Sequence, residues 1–334
     1  MELKYISSNS LTNCLKKVQA EGVSIYAPAT RGEQTDFRII NSIDEIATNF
    51  IQTVKSAKET VFPRAEKLFS YKKEKNEVRL QDYNAEELQE ILAFGLHPCD
   101  AAGFIPLGNI FNWDTPDMPH NERWKRLTVI SMSCTKSDEY CFCTSVGGGP
   151  GDAKGSDILM TPVKDEGYLV EIITEKGVKW HEKYSSFFEN APENIRKEDY
   201  LVDIPKKFDI EEISKKLPEL FDSDIWQKQS ERCIGCGICA FVCPTCACFD
   251  IQENARGNSG SRIRCWDSCG FSLFTLHTSG HNPRSIQSHR WRQRIMHKFS
   301  YMPERLSVTG CTGCGRCSRA CPVDINLSEQ ILSL

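Results

Sequence analysis

Seventeen cysteines in a chain of 334 residues constrain this sequence more than any other feature, because most of them come in tight groups. The run Cys233-x2-Cys236-x2-Cys239-x3-Cys243-Pro244 recurs as Cys311-x2-Cys314-x2-Cys317-x3-Cys321-Pro322. Three thiols at this spacing wrap a short loop around one set of corners of a cubane, while the fourth, followed by proline, points away to a second cage. Gly235, Gly237, Gly313 and Gly315 let the backbone come close to the inorganic sulfides. The spacing assigns Cys233, Cys236, Cys239 and Cys321 to one [4Fe-4S] cluster, and Cys311, Cys314, Cys317 and Cys243 to another. Zinc sites of this kind gather cysteines in pairs, which fits a four-cysteine run with a trailing proline poorly.

A disulfide framework is the other use of many cysteines, and it belongs to oxidising compartments. Met1 to Ala20 lacks the apolar core of a secretory signal, and no apolar stretch of about 18 residues is present, so a cytoplasmic protein without a membrane span is expected. Cys14, alone in a helix-like LTNCLKKVQA, reads as a packed core thiol. The net charge of −4 argues against nucleic acid as a partner, although it is unevenly spread. Residues 229–334 carry twelve Arg and Lys against seven Asp and Glu. That excess suits either a partner surface or the partial neutralisation of thiolate-ligated clusters.

Length predicts about two domains, and the fold class expected is α+β. Residues 1–205 alternate: helical stretches at Leu11–Ala20, through IDEIATNFIQTVKSA and through NAEELQEILAFG, and strands at VSIYAP, LTVISMS and YLVEIIT. This is an α/β domain. Residues 206–228, charged and containing Pro218, read as a linker with a surface helix, and 229–334 as a two-cluster ferredoxin domain. The 67 residues from Pro244 to Gly310 between the runs are poor in strand alternation, which predicts a mostly α-helical domain.

Two further thiol groups remain. Cys134, Cys141 and Cys143 follow a predicted strand beside the glycine-rich Gly147–Gly151, with Cys99 in the loop LHPCDA. A third cluster, a zinc site and unligated or redox cysteines are all compatible with their irregular spacing. Cys246, Cys248, Cys265 and Cys269 form the other group: an additional metal site, donors close to the first two clusters, or a packed or redox-active set. The basic run RSIQSHRWRQRIMHK is interleaved with Trp291, a pattern that nucleic-acid binders share but that beside cluster motifs weighs little. Hydrolase and P-loop motifs are absent, and His277, His281, His289 and His297 read as hydrogen-bonding residues, so no catalytic residue is assigned.

CIGCGICAFVCPTCACFD, RIRCWDSCGF, GHNPRSIQSHRWRQRIMHKFSY and CTGCGRCSRACPVDI, with FPRAEKLFSY, GLHPCDAAGF and CFCTSVGGGPGD before them, carry a family resemblance. The chain resembles the iron-sulfur beta subunit of sulfhydrogenase-type cytoplasmic nickel-iron hydrogenases and the A subunit of anaerobic sulfite reductase. The resemblance implies an electron-transfer subunit. Its partners would be a flavin and NAD(P)-binding subunit and a separate catalytic subunit of a hydrogenase, sulfite reductase or bifurcating complex. It also places Cys99, Cys134, Cys141 and Cys143 in family motifs, favouring a third [4Fe-4S] cluster, and likewise includes Cys246, Cys248 and Cys269 but not Cys265. A catalytic iron-sulfur protein that reduces a disulfide or sulfur substrate is the alternative, and a structural adaptor a third reading.

Overall fold

A computed structural model describes residues 2–163 and 167–334. Among the described residues twelve strands follow in chain order: β1 (Glu2–Ser7), β2 (Ser24–Arg31), β3 (Gln34–Ile39), β4 (Ala65–Glu74), β5 (Glu77–Gln81), β6 (Ile91–Leu96), β7 (Leu127–Met132), β8 (Ile158–Val163), β9 (Gly167–Ile172), β10 (Glu189–Asn190), β11 (Phe249–Arg256) and β12 (Ser259–Trp266). Eight of them form one sheet, ordered β10-β1-β9-β8-β7-β6-β2-β3, in which β2, β6, β7 and β8 run parallel. Parallel strands are buried on both faces and so read as continuous apolar runs. The helix Ser8–Ala20, capped by the Ser7 side chain, covers one face with Leu11, Cys14, Leu15 and Val18. Cys14 is fully buried there, and burial pushes its thiol up to about 12. The other face buries Phe62, Phe104, Leu107 and Phe111 against Ala93, Leu96 and Val129.

Two expected helices are corrected. In NAEELQEILAFG, Asn84 caps only the single turn Ala85–Glu87, and Ile91–Leu96 becomes central strand β6. The apolar run ILAFGL fits a strand with neighbours on both edges better than a helix with one covered face. Gly95 has φ +73 and marks the register shift where β6 pairs with β7. In IDEIATNFIQTVKSA only Ile43–Glu45 turns, as a short 3-10 helix, and a second one, Ala57–Thr60, begins at the last residue of that stretch. Tertiary contacts win over local propensity there: Arg316, from the far end of the chain, donates to the Thr53 carbonyl at 3.0 Å.

The second sheet, β11-β12-β4-β5, is antiparallel and draws strands from both sides of residues 206–228. Its hairpin β11–β12 lies between the two cysteine runs, so the expectation of a mostly helical C-terminal domain is corrected: helix there is concentrated in Gln287–Leu306 and short turns. A buried ion-pair network pins the hairpin, with Arg264 donating to Glu66 at 2.5 Å and to Asp117 at 2.5 Å. A third core gathers Phe142, Trp291, Ile295, Phe299 and Ile331. The segment read as a linker contributes Phe208, Ile213, Leu217 and Trp226 to it. The C-terminal part that holds both cysteine runs therefore mixes helix and strand. Among the described residues no helix is long and apolar enough to cross a membrane.

Candidate iron-sulfur centres

The two runs fold alike. Each threads its first three cysteines through two glycines at positive φ, between +65 and +75, and ends in a single helical turn, Ile238–Phe241 or Arg316–Arg319. Three of these glycines, Gly237, Gly313 and Gly315, are also sterically required. A Cβ on Gly237 would meet the Phe271 ring at 2.4 Å, and one on Gly313 would lie 2.5 Å from the Cys143 backbone.

The runs then cross. Cys233, Cys236, Cys239 and Cys321 line one cavity, joined by Cys269 and Cys317. Cys243, Cys311, Cys314 and Cys317 line a second one. In each, the fourth thiol arrives from the other run. Among the described residues no three Cys, His, Asp or Glu side chains close on a point fit for a single metal ion. A cubane holds its thiolates apart by the width of the cage, whereas zinc draws four to within about 2.3 Å of one centre.

Charge supplies an independent test of fit. Lys58, Arg294 and Lys298 are all buried, at 3–4% exposure, and no carboxylate forms an ion pair with any of them among the described residues. They face sulfur and carbonyl oxygen instead. Lys298 Nζ donates to Cys243 Sγ at 3.3 Å, to Thr245 Oγ1 at 3.0 Å and to the Gly310 carbonyl at 2.7 Å. Arg294 reaches Cys246 Sγ at 3.6 Å and the Cys239 carbonyl at 3.0 Å, and Lys58 donates to the Ala240 and Cys246 carbonyls at 3.0 Å. An unpaired buried charge costs several kcal/mol, roughly 3–5 when a partner is removed. Anionic, thiolate-ligated clusters are the counter-charge that Arg294 and Lys298 fit, whereas at Lys58 burial outweighs the nearby sulfurs and lowers the pKa. Burial opposes the charge on Lys298, but the sulfurs of Cys243 and Cys246 outweigh it and hold its pKa above the ordinary range.

The N-terminal thiols approach the second run. Cys134 has Cys143 and Cys141 as charge neighbours, and Cys99 has Cys134 and Cys314. Burial raises Cys99, Cys134 and Cys143, the last to about 11. Donors aim at these sulfurs too: Arg319, ion-paired with Asp138, reaches Cys141 Sγ at 3.4 Å, and Gln52 reaches Cys99 Sγ at 3.5 Å. Phe142 N–H donates to the Gly313 carbonyl at 3.0 Å, stitching this loop to the second run. The glycine-rich turn closes over it, with Cys134 N–H donating to the Pro150 carbonyl at 2.8 Å.

Of the remaining group, Cys246 hydrogen-bonds Cys243 and Cys269 hydrogen-bonds Cys248, which holds Cys243 and Cys248 below the usual thiol range and raises their partners. Cys265 lies on β12 opposite Asp250, apart from these pairs.

Residues 232–325 match the 4Fe-4S dicluster domain family. Over 308 residues the chain is 31% identical to the protein named sulfhydrogenase 2 subunit beta of Pyrococcus furiosus, spanning 90% of this chain and 89% of that relative. The chain belongs to the sulfhydrogenase beta-subunit family. It is thus an iron-sulfur, electron-transfer subunit of an oxidoreductase, with [4Fe-4S] chemistry in its C-terminal part. No solved structure matches it.

For this family member, sequence reasoning named candidate cysteines and a general basic excess, but not the individual groups that donate to the sulfurs. Gln52 and Lys58 lie in no motif, and Gln287, Arg294, Lys298, Arg316 and Arg319 lie inside the quoted motifs without being singled out there. A signal did exist for three of them: Gln287, Arg294 and Lys298 recur with Trp291 at helical spacing, so the stripe that buries Trp291 also buries two cations. The basic run read as a possible nucleic-acid feature is this helix, with Trp291 Nε1 donating to Gln229 Oε1 at 2.9 Å in the interior.

Proposed function

We propose that this chain relays single electrons between a flavin and NAD(P)-binding subunit and a separate catalytic subunit of a cytoplasmic redox complex. The observation that carries the reading is the crossing of the two runs onto two thiol-lined cavities flanked by buried, carboxylate-free cations. Cys233, Cys236, Cys239 and Cys321 hold one [4Fe-4S] cluster and Cys311, Cys314, Cys317 and Cys243 another. Cys99, Cys134, Cys141 and Cys143 hold a third. Each bound cluster supplies a one-electron store whose potential answers to hydrogen bonds, burial and nearby charge.

The chain's own residues do the rest. Gln287 donates to Cys233 Sγ at 3.1 Å, Lys298 to Cys243, Arg319 to Cys141 and Gln52 to Cys99, so each thiol set receives at least one N–H donor. Such bonds favour the more negative, reduced state. The sets abut: Cys317 lines both C-terminal cavities, and Gly313 packs on Cys143. Cys246 and Cys269 act here as thiol donors beside the ligands. Residues 229–334 form the dicluster unit and 1–205 the α/β unit.

Anaerobic purification followed by iron and sulfide analysis and EPR tests this. Three cubanes' worth of iron, reducible by dithionite without turnover of a disulfide or polysulfide, is the expected result. Turnover by the isolated subunit would overturn the relay in favour of direct catalysis, and failure to bind iron would overturn both.

A further inference from the structure

A buried polar bridge that neither cysteine motif requires joins the second run to the N-terminal thiols. Arg316 stands in that run between Cys314 and Cys317 and is 1% exposed. Its Nε donates to the Thr53 carbonyl at 3.0 Å, and its Nη2 donates to Thr53 Oγ1 at 2.6 Å and to Asp100 Oδ2 at 2.7 Å. Asp100, the neighbour of Cys99 in sequence, is equally buried. Gln52 makes a second strut. Its Nε2 donates to Cys99 Sγ at 3.5 Å and to the Cys314 carbonyl at 3.3 Å, while its Oε1 accepts the Thr53 N–H at 3.1 Å, which fixes the amide with its donor toward the sulfur. Two adjacent residues, Gln52 and Thr53, thus hold Cys99 and Cys314 together through an amide and an ion pair.

The run does not need this arginine in order to fold. At the matching position the first run carries Ile238, with the same glycine before it at positive φ and the same single helical turn. A buried ion pair is no gain in stability by default either, since apolar side chains of similar volume serve as well or better. The pair is also incomplete: Arg316 Nη1 has no hydrogen-bond partner among the described residues. A buried N–H left in that state costs about 1–3 kcal/mol. After Asp100, the sulfurs of Cys314 and Cys99 are the negative groups that act most strongly on this guanidinium, and they belong to two different thiol sets.

We propose that Arg316 is a cation shared by two centres, that of Cys311, Cys314, Cys317 and Cys243 and that of Cys99, Cys134, Cys141 and Cys143, with cluster sulfur as the acceptor for its Nη1. The sharing rests on the third cluster proposed above. An electron that passes between the two sets leaves one centre oxidised by one and the other reduced by one, with no bond made or broken. Arg316 keeps its proton throughout and attracts the electron on both sides. It is a positioning residue for that step, because one charge raises both midpoints together and leaves neither centre a trap. Asp100 holds the guanidinium in place and partly offsets its charge.

The test uses the full chain, purified anaerobically, with iron and sulfide measured before each EPR-monitored redox titration and signals assigned by their loss in Cys99→Ala or Cys311→Ala. Arg316→Gln should lower both midpoints, each by the equivalent of at least a tenfold change in the reduced-to-oxidised ratio, ~59 mV for one electron. Arg316→Lys keeps the charge and should shift neither that far. Asp100→Asn removes the opposing charge and should raise both, that of the Cys99 centre more. Opposite signs from the two partners of one ion pair are an outcome that a merely structural role does not produce. Three iron-loaded centres of which only one responds to Arg316→Gln overturn the sharing and leave the third cluster standing. Two centres in the unmodified protein, with iron to match, overturn the third cluster and the sharing with it. Where Arg316→Gln loses iron, the other variants decide: unmoved midpoints in Asp100→Asn, or iron lost from all three variants, make the pair structural and overturn the proposal.

Discussion

Lys298 offers the sharpest test of how this chain tunes its centres. Its ammonium is buried and lies 3.3 Å from Cys243 Sγ without a carboxylate partner. Replacing it with methionine removes a positive charge and retains most of the volume. With the charge ~6 Å from the centre of the cage that Cys243 serves and an effective dielectric of ~20, each added electron loses about 3 kcal/mol of attraction. For a one-electron couple, where ~59 mV corresponds to a factor of ten or about 1.4 kcal/mol, the midpoint should fall by on the order of 100 mV. Lys298→Arg keeps the charge and should move it far less. The assay is an EPR-monitored redox titration of anaerobically purified protein, with iron content matched between variants. A midpoint within ~20 mV of the unmodified protein, at equal iron content, would refute the electrostatic argument, since a shift so small means under ~0.5 kcal/mol of coupling. A fall of equal size in Lys298→Arg would refute it too, by tracing the effect to packing.

Four other outcomes follow from the geometry. Cys321→Ala should damage the centre held by Cys233, Cys236 and Cys239 across more than eighty residues of sequence, and EPR showing loss only at the Cys311 to Cys317 centre would refute the crossed assignment. Arg264→Met leaves Glu66, 4% exposed, with Arg123 as its one cation among the described residues and should cost roughly 3–5 kcal/mol, seen as a lower midpoint in urea unfolding. Iron chelation leaves Arg294 and Lys298 without counter-charge, so the thermal midpoint should drop and Trp291 fluorescence shift to the red as the third core loosens. His120 stacks on Phe111, and burial lowers its pKa to about 4 from 6.5. Because the unfolded chain protonates first, its contribution is full above pH 6.5 and is lost as pH falls toward 4; His120→Gln should flatten that limb of a stability-against-pH curve.

What the sequence made legible is what local spacing encodes. A Cys-x2-Cys-x2-Cys-x3-Cys-Pro run specifies its own loop, because the glycines between the thiols fix φ and the proline turns the fourth thiol outward, and the structure gathers those thiols in crossed sets. The strands at VSIYAP, LTVISMS and YLVEIIT were legible for a similar reason, their apolar runs being too short for buried helices. Illegible elements were those whose partner lies far off in sequence. The segment 46–56 is shaped by Arg316, and the hairpin β11–β12, nearly all exposed along β11, owes its place to pairing with β4 some two hundred residues earlier.

The same division explains the site. Ligands are encoded in spacing, whereas the groups that donate to them are encoded in burial, and burial of a cation is invisible to a motif. It is not invisible to a helical pattern. Arg294 and Lys298 share the face of Trp291 and Ile295, a place where soluble helices put apolar side chains. Two cations on such a face demand either carboxylates or another anion inside the protein, and the described residues offer no carboxylate to either. The anion has to come from the thiolate centres, which makes the helix Gln287–Met296 and the turn after it a part of the electron-transfer apparatus. Substitutions along that stripe should therefore change midpoint potentials before they change iron content, whereas substitutions of the cysteines should do the reverse. A single redox titration paired with an iron assay on each variant reads both quantities at once, and a stripe variant that lost iron at an unshifted potential would show the cations to be structural.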